Sequence, residues 1–310
     1  MIVQIINHSS KTNNEIQLML PIGLNASKII VFPDICKVRW RIPTGMAVLT
    51  TQKDWRKFAI SDVGCGMLLC KSNINAKDFD TNAWDELYYK IKSAGKKIGD
   101  LGIGNHFIDA LKSKLDKKLY FLIHCGVNKD IELLEKLAIT DVVRFDDYYN
   151  SVIRQAEESR YAICEIIQSL FGRLEFMFDR SHNHYENIED GVIIRRGAVK
   201  ILPNQTTIIP SNLCGEVALV KAKDKISETL FSISHGTGRL IGREETDKIK
   251  NIDINVLREK VYIPSMIPNK NLKMDIPDCY KDLDSCLQLI DDLIQVKDKY
   301  IIIGYIGQIN

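Results

Sequence analysis

The chain has 310 residues, 45% of them hydrophobic, enough to bury a substantial core. Its 42 Lys and Arg nearly cancel 40 Asp and Glu, leaving a net charge of +2, so any RNA contact must use a local basic patch. No CxxC pair, no basic-then-apolar leader and no apolar run near the ~20 residues needed to cross a bilayer argue against a zinc ribbon, a secreted protein and a membrane span.

Lys28 to Phe32 and Gly45 to Leu49 read as short strands bounded by turn residues. Ala59-Ile60 and Met67 to Cys70 flank the Gly64-Cys65-Gly66 turn, which puts Asp62 and Cys65 on a loop between strands. Asp80-Thr81 caps a helix whose apolar positions are Trp84, Leu87, Tyr88 and Ile91. Leu119 to Ile123 is a buried-strand run. A hairpin-like KSKLDKK turn joins it to the strand after His106, so His106 and His124 should lie on neighbouring strands. From Asp146 to Gly172 runs the longest helical pattern, with Val152, Ala156, Ala162, Ile163, Ile166 and Ile167 facing a sheet. Leu174 to Phe178, Val192 to Arg195 and Ala198 to Leu202 read as strands, Leu283 to Val296 as a helix and Tyr300 to Ile306 as a last strand. The Lys-rich stretches 112–118 and 221–225 read as solvated faces. Without a repeat, low-complexity tract or linker, residues 1–310 are expected to form one compact α+β domain.

The chemistry concentrates in glycine-flanked blocks: Asp62-Val63-Gly64-Cys65-Gly66-Met67, Gly104-Asn105-His106-Phe107, His124-Cys125-Gly126, His182-Asn183 and Ser234-His235-Gly236-Thr237-Gly238-Arg239. Glycine beside a ligand lets backbone approach an anion or take a positive φ. Cys65 sulfur can bridge two metals, Asp62 can add oxygen, and His106, His124 and His182 supply imidazole nitrogen. Such a mixed set suits Mn²⁺, Zn²⁺, Fe²⁺ or Co²⁺. Two metals ~3.5–4 Å apart would clamp the attacking and leaving oxygens of a phosphoryl transfer. Gly236, Gly238 and Arg239 offer backbone N–H groups and a guanidinium to phosphate. His235 beside them reads equally as a nucleophile toward activated phosphate, a further metal ligand or a phosphate hydrogen-bond donor.

These blocks, in order from about Pro33 onward, resemble the RtcB-type 3′-phosphate RNA splicing ligases: DVGCGM (62–67), GNHF followed by Ile108-Asp109, IHCG (123–126), SHNHYE (181–186), RRGA (195–198), SHGTGR (234–239) and YKDLD (280–284). The resemblance implies sheets and helices packed around a deep metal-containing cleft. By it, Asp62, Cys65, His106, His124 and His182 hold two Mn²⁺ ions, with Cys65 bridging, and His235 takes GMP from GTP. Asn105 contacts phosphate, Asp109 replaces a guanine-facing glutamate, and Tyr280 lies against the nucleotide. Asn183, Ser211, Asn212, Gly236, Gly238 and Arg239 complete the nucleotide site. The implied reaction joins an RNA 3′-phosphate or 2′,3′-cyclic phosphate to a 5′-hydroxyl, in RNA repair or tRNA splicing. The expected setting is a cytoplasmic monomer acting on broken RNA, tRNA included.

The chain also departs from that pattern. Val127-Asn128 replaces a Ser-Arg continuation, Ile194 replaces a histidine, and Cys36 replaces another. Ser211-Asn212-Leu213-Cys214 stands for a glycine- and serine-rich loop, and Ile306 stands where a C-terminal lysine would read guanine. Metal and nucleophile positions are intact, whereas the guanine and RNA surfaces are altered. Two other readings therefore accompany the ligase: a metal-dependent cyclic-phosphate hydrolase that uses no nucleotide, and a catalytically weak RNA-binding protein whose metals only hold the fold.

Overall fold

The computed structural model describes residues 3–36, 41–95, 98, 101, 105–127, 131–242, 245–246, 249, 254–307 and 309. Gly104 and Asn128 lie outside the described residues. Among the described residues fourteen strands appear in chain order: β1 Gln4–Asn7, β2 Lys28–Cys36, β3 Thr44–Thr50, β4 Gly66–Asn75, β5 Phe107–Ser113, β6 Lys118–Cys125 and β7 Leu174–Ser181 come first. They are followed by β8 Asn183–Ile188, β9 Gly191–Arg196, β10 Ala198–Lys200, β11 Thr206–Pro210, β12 Glu216–Ala222, β13 Ser232–Ser234 and β14 Ile294–Gly307. The helices are α1 Asn13–Met19, α2 Thr81–Ala94, α3 Ile131–Thr140, α4 Val142–Phe171, α5 Ile254–Lys260, α6 Asn269–Leu272 and α7 Leu283–Gln288. The architecture is α+β, as the sequence predicts.

Two sheets dominate. One has five strands in the order β1-β2-β3-β9-β8, and the other has seven in the order β11-β12-β14-β5-β6-β4-β7. A short β10-β13 pair sits apart from both. Their inner faces meet through alternating apolar residues: Ile30, Phe32, Ala47 and Ile193 from the smaller sheet share a core with Ile209, Ala218 and Val220 from the larger.

Helix α4 joins the remaining cores. Asp141 caps its start by accepting from Arg144 N–H at 3.1 Å, and Gly172 ends it at φ +78°. Thirty residues make it about 45 Å long at 1.5 Å rise per residue. Its first half buries Phe145, Tyr149 and Val152 with Met46, Val48 and Ile194 of the smaller sheet. Its second half buries Ile163, Ile167 and Phe171 with Leu69, Phe121 and Ile123 of the larger one. One continuous apolar stripe thus fixes the two sheets relative to each other.

Three expected elements differ. Ala59-Ile60 is not a strand; it follows a single helical turn, Trp55–Phe58, so the Asp62–Cys65 loop joins a turn to β4. The helix expected over Leu283 to Val296 ends at Gln288, and Ile294–Val296 already belong to β14 because they pair with β12. The strand expected to end at Leu202 stops at Lys200. The hairpin after His106 does form, as β5 and β6 with Phe107 opposite His124.

Candidate metal centre

Strands β5, β6, β4 and β7 are consecutive antiparallel neighbours, so one edge of the sheet gathers the start of β5, the end of β6, the start of β4 and the end of β7. His106 directly precedes β5, His124 is next to last in β6, Cys65 directly precedes β4, and His182 directly follows β7. Alternation of strand direction therefore converts four distant sequence positions into one cluster. Cys65 Sγ lies 3.3 Å from His124 Nε2 and 3.5 Å from His106 Nε2. Ligand atoms of Cys65, His124 and His182 all fall within 4.8 Å of one another, and all three residues are buried.

The loop holding Cys65 is tightly tied. Cys65 N–H donates to Asp62 O at 3.0 Å, and Cys65 O accepts from His182 N–H at 3.0 Å. Asp62 takes φ +44° to make this turn, and Gly64 takes +76°. Asn183 closes the arrangement: its Nδ2 donates to Asp62 O at 3.1 Å while its Oδ1 accepts from Gly197 N–H at 2.8 Å. Both ends of the Asn183 amide are thus engaged by backbone. Asp62 itself turns outward, with a 61% exposed side chain 3.9 Å from Arg196.

The donor set fits a metal ion. A tetrahedral ion with a sulfur at ~2.3 Å and a nitrogen at ~2.0 Å needs them about 3.5 Å apart, close to the two distances at Cys65. Burial holds His124 and His182 well below the usual imidazole pKa, keeping their lone pairs free of protons near neutrality. Nδ1 of His124 and Nδ1 of His182 are buried and find no hydrogen-bond partner among the described residues. Burial pushes the Cys65 thiol up, helped by Asp62 and opposed by Arg160. A divalent cation would answer that penalty by stabilising thiolate.

His235 stands next to this group, its ring centroid 4.5 Å from that of His182. It follows β13, whose Ser234 pairs with Ala198. Its Nδ1 sits 2.6 Å from Asp34 Oδ2 and 2.9 Å from Gly197 O. Both partners only accept, so Nδ1 carries a proton, and in the neutral ring the lone pair is on Nε2. Asp34 is fully buried on β2. In sequence Asp34 is marked only by a Pro33-Asp34 pair far upstream of its partner.

Several of the expected nucleotide residues are bonded to other groups of the protein or buried within it. Arg239 donates to Ile241 O, Met274 O, Tyr280 Oη and Thr246 Oγ1 and lies 5.1 Å over the Tyr280 ring, so its guanidinium is not an open fork. Tyr280 Oη donates to Asp275 Oδ1 at 2.8 Å, and Tyr305 Oη donates to Asp275 Oδ2 at 3.0 Å. Asp109, on β5 opposite Tyr305, is buried, and burial with nearby Asp275 holds its carboxyl well above the usual range. Ile306 is fully buried opposite Ile108. Ser211 Oγ donates to Glu216 O at 2.7 Å, and Asn212 Oδ1 accepts from Cys214 N–H at 3.3 Å. Gly236 O accepts from Ser234 Oγ at 2.6 Å, while Gly238 takes φ +75° where a Cβ would meet Asp34 Cα at 2.6 Å. Asn105 is half-buried directly before His106.

The chain is similar to several known proteins. RNA-splicing ligase RtcB1 of Escherichia coli is 24% identical over 65% of this chain and 59% of its own length. RNA-splicing ligase RtcB of Escherichia coli K12 is 25% identical over the same shares. RNA-splicing ligase RtcB2 of Escherichia coli is 22% identical over 86% of this chain and 83% of its own length. The chain thus spans 59% of the length of the first two. Among the described residues no helix is long and apolar enough to cross a membrane. The model of the tRNA-splicing ligase RtcB family matches residues 152–306, the half of the chain that carries His182 and His235, and by that match the chain belongs to the family.

Proposed function

We propose that the chain is a metal-dependent RNA ligase of the cytoplasm, acting as one catalytic domain over residues 1–310, that joins 3′-phosphate or 2′,3′-cyclic phosphate ends to 5′-hydroxyl ends. The observation that carries this reading is the Asp34–His235 pair beside the Cys65–His124–His182 group, because a carboxylate at Nδ1 orients the ring and favours the tautomer whose Nε2 can act as nucleophile. His235 Nε2 forms a P–N bond to the α-phosphorus of GTP as the bond to the β-phosphate oxygen breaks and pyrophosphate leaves. A 2′,3′-cyclic end is first opened by water, which adds to its phosphorus as the 2′ oxygen leaves as a hydroxyl; an oxygen of the RNA 3′-phosphate then takes the GMP phosphorus from Nε2, restoring His235. The 5′-hydroxyl oxygen finally attacks the RNA phosphorus, GMP leaves, and the hydroxyl proton passes to solvent.

Cys65, His106, His124 and His182 would hold the metal, with Asp62 at its border. Bound there, Mn²⁺ would neutralise charge on the phosphate oxygens. Incubating the protein with Mn²⁺ and α-labelled GTP should give covalent label that His235→Ala abolishes; label that survives His235→Ala would remove His235 as the nucleophile.

A second reading has its own support. Arg239, Tyr280 and Asp109 are satisfied or buried within the protein, and Ile306 lies in the core. That arrangement favours an enzyme that opens 2′,3′-cyclic phosphate without a nucleotide. Turnover of a cyclic-phosphate end with no nucleotide present, and no joined product with any of the four, would favour it over ligation.

A further inference from the structure

Helix α4 runs beneath the metal-ligand loop, and Arg160 is its hydrogen-bonding contact there. Arg160 is fully buried on the same stripe as Ala156, Ile163 and Ile167. Its Nε donates to Asp179 Oδ1 at 2.7 Å. A structural ion pair would be complete with that bond. Arg160 goes further: one nitrogen, Nη1, donates both to Gly64 O at 3.0 Å and to Cys125 O at 2.9 Å. Gly64 immediately precedes Cys65, and Cys125 immediately follows His124. A single planar guanidinium therefore ties the backbone of two candidate ligands whose Sγ and Nε2 lie 3.3 Å apart.

The glycines of this block are explained by the same contact. A Cβ on Gly66 would stand 2.8 Å from Arg180 O of β7 and 2.9 Å from Arg160 Cζ, and one on Gly64 would stand 2.9 Å from Ile153 Cα of α4. Both glycines let the helix and its guanidinium seat directly under the turn. A Cβ on Gly126 would press on Cys65 Cα at 3.2 Å from the other side. The ligand loop is thus clamped between α4 and the end of β6.

We propose that Arg160 is a positioning residue of the metal centre, setting the separation of Cys65 and His124 through their flanking carbonyls. This rests on the metal-centre reading above. Groups that orient metal ligands typically change affinity by roughly 10–100-fold when removed. Titration of the metal-free full chain with Co²⁺ reads both affinity and the sulfur-to-cobalt charge-transfer absorption. Arg160→Lys, which keeps the charge but lacks the planar fork, and Gly66→Ala, which keeps Arg160 but presses on it and on the Arg180 carbonyl of β7, should each weaken cobalt binding about tenfold or more and diminish that absorption. Arg160→Met should do so more strongly. Ile201→Ala, a destabilising change in a separate core, should lower thermal stability and leave the absorption unchanged. Wild-type affinity and absorption in both Arg160→Lys and Gly66→Ala would overturn the proposal, whether or not Arg160→Met folds. Wild-type protein that binds cobalt with no sulfur absorption would instead overturn the metal centre itself, and the role of Arg160 with it.

Discussion

Asp34 and His235, 201 residues apart in the chain, meet through a 2.6 Å hydrogen bond that is sheltered from solvent on the carboxylate side. Two glycines make room for it: a Cβ on Gly45 would lie 2.7 Å from Asp34 Oδ1, and one on Gly238 would overlap Asp34 backbone. An asparagine at 34 would turn an amide N–H toward Nδ1 and favour the tautomer with its proton on Nε2. Asp34→Asn should therefore slow nucleotide transfer to His235 by about 10²–10⁴-fold with the fold retained. Labelling by α-labelled GTP beside a thermal melt checks this; full-rate labelling would mean that Asp34 does not set the tautomer.

Much of this site is readable before folding, because motif spacing marks residues that need unusual backbone. Cys65 between two glycines and His235 before two more are such marks. Asp34 and Arg160 are harder. Asp34 acquires meaning only when β2 is brought beside the residue after β13. Arg160 does leave a trace, a lone arginine on an apolar helical stripe, but its partners Gly64, Cys125 and Asp179 come from the loop before β4, from β6 and from β7. The misread tail has a similar cause. Apolar residues from Leu283 to Val296 keep helical spacing, yet pairing of Ile294 with Ala222 draws the last of them into the sheet. Arg239 looks like a phosphate fork in sequence, and only tertiary structure reveals that Met274 and Ile241 carbonyls already hold it.

Asp109 should make stability depend on pH. The groups facing it are Asp275 and Tyr305, with Tyr280 and Arg239 beyond, and none of the hydrogen bonds among them reaches its buried Oδ1. Burial first, and Asp275 second, raise its carboxyl well above 3.8. The unfolded chain then releases the proton at lower pH than the folded one, so stability is full below about 3.8 and falls as pH rises toward the folded value. Asp109→Asn should be more stable than wild type at pH 8, with the gap closing toward pH 4. Urea melts at both pH values test the sign; an equal gap at both would contradict it.

Cys70 on β4 and Cys164 on α4 are free thiols with sulfurs 3.0 Å apart, Cys70 buried and Cys164 half-buried. Cys164 is the accessible partner, so a small disulfide such as oxidised glutathione should react there first. Cys70 would then displace the second glutathione, leaving an internal disulfide and two glutathione thiols. Mass spectrometry of the digested protein should show the 70–164 crosslink in wild type and stable glutathionylation of Cys164 in Cys70→Ser. A mixed disulfide that persists on wild-type Cys164 would show that the two sulfurs do not come into line.

Metal binding should also be visible as stability. An ion that binds only the folded chain adds RT ln(1 + [L]/Kd), about 2.7 kcal/mol at a hundredfold excess over Kd. Burial keeps the His124 and His182 imidazoles uncharged near neutrality, so they are available to bind an ion without first losing a proton. Mn²⁺ or Zn²⁺ should therefore raise the urea midpoint of wild type, and a chelator should reverse the gain. His182→Ala should abolish the metal increment, since one of the three clustered donors is lost. Cys65→Ala should also abolish it, while in metal-free buffer it removes only a buried thiol that burial already keeps protonated. The increment, not the metal-free midpoint, is the decisive quantity: if Cys65→Ala gains as much from metal as wild type does, the ion is bound elsewhere on the protein.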